Sequence, residues 1–110
     1  MSPQELAQGQ LDAYNAHDLD AFLAFFSEDF TLYDFPDSER LRGKALIRER
    51  YAQILFAGST VHATVTQRMV HGNVVIDHEF VTGHPLVGDT SLIVIYEVRD
   101  GLISAMRAIR

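Results

Sequence analysis

Residues 90–110 read TSLIVIYEVRDGLISAMRAIR, and this stretch decides the fold. It contains two runs rich in β-branched and apolar residues, Thr90 to Arg99 and Leu102 to Arg110, separated only by Asp100-Gly101. An Asp-Gly pair between two such runs is a strong signal for a two-residue hairpin turn, because both turn residues adopt a positive φ. We therefore predict that these residues form an antiparallel β-hairpin.

Two further strands are predicted upstream of this hairpin. Thr60 to Val70 is rich in Val and Thr, and Val74 to Thr82 follows after a turn at His71-Gly72-Asn73. Gly83 to Asp89 contains a proline and reads as a longer turn. The second half of the chain is thus predicted to be an antiparallel meander of four strands.

The first half of the chain carries helical signals. Ser2-Pro3-Gln4-Glu5 has the spacing of a capping box and begins a helix that we expect to reach Ala16. Asp18 is a natural cap for a short second helix, with Phe26 at the end of its apolar face. A third helix is predicted from Gly43 to Ala57-Gly58, with apolar residues at helical spacing.

Between the second and third helices, Phe30 to Phe35 reads as a strand and Pro36 to Arg42 as a polar loop. Helices followed by strands predict the α+β class, with three N-terminal helices packed on one face of a curved antiparallel sheet. At 110 residues the chain is expected to be a single domain, residues 1–110.

Composition restricts the function classes. The chain has no cysteine, which excludes disulfides and thiolate metal sites. Its formal charge of −6, from 15 acidic and 9 basic residues, disfavours binding to nucleic acid and to anionic membranes. We find no signal-peptide pattern, no His spacing typical of a metal site and no phosphate-binding glycine loop. A cytoplasmic protein without a cofactor or metal is expected.

Asp34 is the first candidate for catalysis. It lies at the end of the apolar strand, in the stretch Thr31 to Pro36, and alternation places it on the same side as Leu32. If the carboxylate faced a cavity, loss of solvent would raise its proton affinity and make it a general base. The alternative is that Asp34 only caps the turn before Pro36.

Two tyrosines on helices and one arginine could complete the site. Tyr14 and Tyr51 lie on apolar helical stripes, and each could donate its hydroxyl to a ligand or simply fill the core. Arg110 follows Met106 and Ala108 at alternate positions, and it could pair with Asp34 or extend into solvent.

The strand from Val74 to Val81 has two faces that both mix apolar and polar residues. Alternation puts His78 on one face and Glu79 on the other, and a count of hydrophobic residues favours the face of His78 as the internal one. Either residue could carry a proton or orient Asp34. The alternative for His78 is a position on the outer face of the sheet, within a dimer interface.

Four short motifs lie along the chain: Tyr14 to Phe22, Asp29 to Asp34, Leu41-Arg42-Gly43 and Val98 to Ile103. Together with the order of the predicted elements, they resemble the NTF2-like superfamily, within it the SnoaL-like and ketosteroid-isomerase-like branch. The resemblance implies a cone-shaped barrel with one apolar pocket, commonly paired as a homodimer through the outer face of the sheet.

The resemblance also implies roles for single residues. The isomerase base falls on Asp34 and a supporting pocket tyrosine falls on Tyr51. On the strand from Val74 to Val81, the resemblance puts Asp77 and Glu79 on the pocket side. Gln10 and Val94 occupy the positions of the tyrosine and the protonated aspartate that hold the oxyanion in such isomerases. Both acidic donors are therefore missing here, and Tyr14, one helical turn beyond Gln10, could supply a hydroxyl instead.

These arguments favour a small enzyme without a cofactor that transfers protons on an apolar carbonyl or cyclic molecule, as an isomerase, cyclase or dehydratase. Epoxide hydrolysis, a non-catalytic binding module and a dimerisation scaffold remain alternatives; in the scaffold, Phe22, Phe26, Phe56 and Met106 would fill the pocket. The predicted catalytic residues are Asp34, Tyr14 and His78. The predicted ligand-binding residues are Tyr51, Glu79, Tyr96, Arg110, Gln10 and Met106.

Overall fold

The computed structural model describes residues 1–55 and 58–110, which form three helices and a six-stranded sheet. In chain order the elements are α1 Pro3–Asn15, α2 Leu19–Leu23, β1 Phe26–Asp34, β2 Ser38–Arg42, α3 Lys44–Leu55, β3 His62–His71, β4 Val74–His84, β5 Gly88–Arg99 and β6 Leu102–Ile109. The predicted α+β class is confirmed.

The first two helices begin where their caps predict. The Ser2 hydroxyl accepts a hydrogen bond from the Glu5 amide at 3.1 Å, and the Glu5 carboxylate accepts one from the Ser2 amide at 2.8 Å. Asp18 accepts from the Ala21 amide at 3.1 Å and begins α2. These bonds satisfy amide groups that the first turn of a helix leaves free.

The sheet has the strand order β2-β1-β6-β5-β4-β3. Strands β3 to β6 form the predicted antiparallel meander, and Asp100 and Gly101 turn with φ of 54° and 77°. The prediction of a wholly antiparallel sheet is wrong, because β1 runs parallel to β6. Turn residues specify only the pairing of strands that are neighbours in sequence, and β1 and β6 are distant.

Some predicted boundaries are also wrong. The predicted loop contains β2, an exposed edge strand that pairs with β1 and lacks the alternation that would mark it in sequence. Phe26 begins β1 instead of ending α2, so this strand begins four residues before the predicted start at Phe30. The predicted end of α3 at residues 57–58 falls partly outside the described residues.

The helices cover one face of the curved sheet, with α1 against β3 to β6 and α3 against β1 and β2. Three phenylalanines in contact join these layers, since Phe26 packs against Phe22 and Phe30 at centroid distances of 4.8 and 4.7 Å. Among the described residues, no helix has the length and apolarity needed to cross a bilayer. The space between the helices and the sheet contains the cavity described next.

Candidate functional site

A cavity of about 240 Å³ lies between the helices and the inner face of the sheet. Its inner end is lined by Gln10, Glu79 and Tyr96, each 7 % exposed or less. Its walls include Tyr14, Phe22, Tyr51, Val94 and Met106, and its mouth is lined by Arg40, Arg50, His84, Val87 and Arg110. Its interior combines apolar walls with a few polar groups, which is typical of a small-molecule site.

The three inner residues form a chain of hydrogen bonds. The Gln10 amide nitrogen donates to the carbonyl of Ala7 at 2.9 Å and to the Tyr96 hydroxyl at 2.8 Å. The Tyr96 hydroxyl in turn donates to Oε2 of Glu79 at 3.1 Å. Because Gln10 fixes the acceptor side of that hydroxyl, its proton is directed at the carboxyl group of Glu79.

Glu79 has the most altered acidity of the carboxyl groups in this cavity. Its burial raises the pKa from 4.5 to about 7, and the negative charge of Asp77 acts in the same direction. The hydrogen bond from Tyr96 and the positive charge of Arg68 lower the pKa and offset part of this effect. A carboxyl group with a pKa near neutrality can both accept and release a proton at physiological pH.

Asp77, two residues earlier on the same face of β4, has a cation as its partner. Its carboxylate is fully buried and accepts from Arg68 Nε at 2.6 Å and from Arg68 Nη2 at 2.9 Å. Arg68 also donates to the Gln8 side chain at 2.9 Å, which ties β3 and β4 to α1. This two-point ion pair lies beneath the cavity and does not line it.

Tyr14 and Tyr51 face the cavity from α1 and α3, with ring centroids 6.3 Å apart. Burial raises the pKa of both hydroxyls, and the nearby Glu79 raises them further. Both therefore stay protonated at physiological pH. Within residues 1–55 and 58–110 neither hydroxyl has a hydrogen-bond partner, so both are free to donate to a ligand.

Asp34 lies at the rim of the cavity. Its register partner Ala108 lines the cavity, but Asp34 is the last residue of β1 and its side chain is 45 % exposed. The carboxylate accepts from Arg110 at 2.6 Å and from Arg40 at 3.4 Å. The expected pairing with Arg110 is present, whereas the expectation of an inward carboxylate shielded from water is wrong, because the strand ends at the mouth.

His78 lies on the other side of the sheet from the cavity. Its side chain is exposed, and its Nε2 is 3.2 Å from the Ser91 hydroxyl. The prediction that His78 could serve in the cavity is therefore wrong, and the alternative position on the outer face is observed. The inner face of β4 instead carries Val75, Asp77, Glu79 and Val81, all buried.

The remaining candidates, Gln10, Tyr51, Tyr96, Arg110 and Met106, all line the cavity, as does Val94. Phe22 and Met106 form part of its wall and leave it open, whereas Phe26 belongs to the core. Phe56, which the scaffold alternative also invoked, lies outside the described residues. A pocket plugged by side chains is thus not observed among the residues that the structure describes.

Three residues at the mouth, Arg40, Arg50 and His84, were not predicted from the sequence. Arg50 follows Ile47 by three positions and precedes Ile54 by four, so helical spacing could have placed it beside the apolar stripe of α3. Arg40 lies on the unpredicted strand β2. His84 ends β4, and no pattern around it indicates a site. Elsewhere in the described chain, no three His, Asp or Glu side chains converge as metal ligands would.

The fold is that of an α+β protein with a cavity between its helices and its sheet. Residues 7–106 match the SnoaL-like domain family, and the chain belongs to that family. No curated protein matches the sequence.

Solved structures show the same fold over the whole chain. An uncharacterized cystatin-fold protein from Novosphingobium aromaticivorans is 26% identical, with a TM-score of 0.89, and the match covers 100% of this chain and 99% of that one. A candidate ketosteroid isomerase from Kribbella flavida is 25% identical, with a TM-score of 0.80 over 97% of this chain and 76% of its own. An LEH-like epoxide hydrolase from Mycobacterium tuberculosis is 17% identical, with a TM-score of 0.80 and coverage of 97% and 80%.

Proposed function

We propose that the protein is an enzyme that moves a proton between two positions of a small apolar carbonyl compound, with Glu79 as the proton carrier. The observation that carries this proposal is a buried carboxyl group, with its pKa raised to about 7, at the inner end of a cavity that combines apolar walls with a few polar groups. The similarity to a candidate ketosteroid isomerase and to an epoxide hydrolase supports an enzymatic role in general.

In the proposed reaction, the Glu79 carboxylate removes a proton from the carbon next to the carbonyl group. Glu79 becomes a carboxylic acid, and the electron pair of the broken C–H bond moves to the carbonyl oxygen, which becomes an enolate. The hydroxyl of Tyr14 or Tyr51 donates a hydrogen bond to this oxygen, where negative charge develops. Glu79 then returns the proton to the same carbon or to a conjugated one.

The surroundings of Glu79 suit both halves of this cycle. Tyr96 donates to Oε2, so the second carboxyl oxygen is available to the substrate. The neutral tyrosines add no charge that would hold Glu79 permanently ionised, whereas Asp34 is held by two arginines and exposed to water. For this reason we assign proton transfer to Glu79, and we assign to Asp34 the positioning of Arg40 and Arg110.

Exchange of α-protons tests the proposal without knowledge of the natural substrate. Small cyclic ketones are incubated with the protein in D₂O, and deuterium uptake at the α-carbon is followed by NMR. Wild type is expected to accelerate the exchange of at least one ketone. Glu79→Gln should lower that rate by about 10²-fold or more, because loss of a general base has effects of this size.

Asp34→Asn is the matched control, since it removes a carboxylate at the rim and leaves Glu79 intact. Its rate should stay within about tenfold of wild type, because the base is unchanged. Equal rates for wild type and Glu79→Gln would eliminate Glu79 as the base. A ketone that binds without any exchange would instead indicate a non-catalytic binding protein.

We also propose that the outer face of the sheet forms a homodimer. Large apolar side chains are exposed there on neighbouring strands, including Met69, Phe80 and Ile93, with exposures of 67 %, 46 % and 36 %. Large apolar side chains exposed on one face of a sheet often mark an interface. Light scattering of the wild type should give twice the mass of one chain. The variant Phe80→Glu should give the mass of a single chain. A monomeric wild type at micromolar concentration would contradict the dimer.

A further inference from the structure

The mouth of the cavity has a charge opposite to that of the protein as a whole. The chain carries a formal charge of −6. Three arginines, Arg40, Arg50 and Arg110, nevertheless line the mouth, and the Asp34 carboxylate pairs with two of them. Burial raises the pKa of the Tyr51 hydroxyl, and the positive charge of each of the three arginines offsets part of this effect. The charges of all three therefore act on the inside of the cavity.

Among the arginines of the described residues, Arg50 is the one that pairs with no carboxylate. Within residues 1–55 and 58–110, no carboxylate lies within 4.0 Å of its guanidinium group, although its side chain is partly buried. Arg48, two residues earlier on α3, shows the usual arrangement for this helix, with an ion pair to Asp20 at 2.8 Å on the surface. A partly buried guanidinium that faces a cavity and lacks an anion is suited to bind an anion of a ligand.

His84 contributes a donor to the mouth without adding charge. Its Nδ1 accepts from the backbone amides of Leu86 and Val87 at 3.1 and 3.3 Å, which places the ring proton on Nε2. Burial lowers the pKa of His84, and the charges of Arg50 and Arg110 lower it further. The positive charge at the mouth is therefore that of the arginines.

We infer that the ligand is an amphipathic anion, with a carboxylate bound by Arg50 at the mouth and an apolar body that reaches toward Glu79. The cavity of about 240 Å³ exceeds the ~150 Å³ that encloses a benzene ring, so a body of one or two rings fits. This inference rests on the proposed function in one respect, because it assigns a class of ligand to the same cavity.

Two pairs of compounds of equal shape test the inference: phenylacetate with phenylacetamide, and 2-naphthylacetate with 2-naphthylacetamide. In each pair the carboxylate and the amide differ in charge and little else. Their affinities for the full chain are measured by calorimetry at low and high salt. Wild type should bind at least one carboxylate about tenfold more tightly than its amide, and this preference should shrink at high salt.

Arg50→Gln should abolish the preference and leave the affinity for the amide unchanged, which also shows that the variant is folded. Arg48→Gln, on the same helix but outside the cavity, should retain it. Equal affinities for acid and amide in wild type, no binding of any of the four compounds, or a preference that persists in Arg50→Gln would overturn the inference. Glu79→Gln separates the two proposals, because it should abolish α-proton exchange and keep the carboxylate preference.

Discussion

Glu79 and Asp34 are two carboxyl groups at opposite ends of one cavity, and the protein gives them opposite surroundings. Glu79 is 7 % exposed and its hydrogen-bond donor is a neutral tyrosine. Asp34 has a side chain that is 45 % exposed, and its donors are two arginines. A carboxyl group can exchange protons near neutral pH when it is buried without a cation beside it. A position at the end of a strand is not sufficient.

Asp77 sharpens this comparison, because it is buried like Glu79 and paired with a cation like Asp34. Arg68 binds it through two nitrogens. The three carboxyl groups therefore separate the effects of burial and of charge pairing. Substitutions at these three sites should therefore change the stability of the protein by different amounts.

Removal of the cation from the buried pair should have the largest effect. Arg68→Met leaves the fully buried Asp77 without compensation, and we expect the free energy of unfolding to fall by about 3–5 kcal/mol. Urea denaturation followed by circular dichroism measures this loss. The double variant Arg68→Met/Asp77→Leu removes both charges and should recover most of the stability. A loss below about 1 kcal/mol in the single variant would show that Asp77 does not need the charge of Arg68.

Glu79→Gln should stabilise the protein in a pH-dependent way. Burial raises the pKa of Glu79 from 4.5 to about 7, so between these values the folded state retains a proton that the unfolded state releases. This bound proton stabilises the folded state of the wild type; the effect is complete below pH 4.5 and is lost as the pH rises through 7. Gln never ionises, so the stability of the variant relative to wild type should rise by about 2–3 kcal/mol between pH 5 and pH 8.

Asp34→Asn is the control for that titration and should have the smallest effect. Ion pairs this exposed to solvent contribute little, so the variant should change the unfolding free energy by less than about 1 kcal/mol at either pH. Denaturation curves of both variants at pH 5 and pH 8 make the comparison. If Asp34→Asn showed the pH dependence and Glu79→Gln did not, the roles of the two carboxyl groups would be reversed.

Local signals in the sequence predicted much of the fold. The capping box at Ser2, the cap at Asp18 and the Asp100-Gly101 turn each act through bonds or backbone angles within a few residues, and all three are observed. The parallel pairing of β1 with β6 and the edge strand β2 were missed, because both depend on backbone pairing between segments whose side chains carry no matching pattern.

The site was harder to predict for a related reason. On β4 hydrophobicity favours the wrong face, because three apolar residues, Val74, Ile76 and Phe80, lie on the outer face and two, Val75 and Val81, on the inner one. The inner face is identified only by partners on other elements: Arg68 on β3 for Asp77, and Tyr96 on β5 for Glu79. Asp34 lies on the side of the sheet that alternation predicted, but alternation says nothing about depth along the cavity. Its distance from the inner end follows from where β1 stops.

NMR titration of the side-chain carboxyl carbon of Glu79 measures the pKa of this group directly. The ¹³C resonance of Glu79 is identified by its absence from the spectrum of Glu79→Gln, and its chemical shift is followed from pH 3 to pH 9. We expect the midpoint of this titration to lie near pH 7. A midpoint near pH 4.5, the value of an ordinary glutamate, would contradict it.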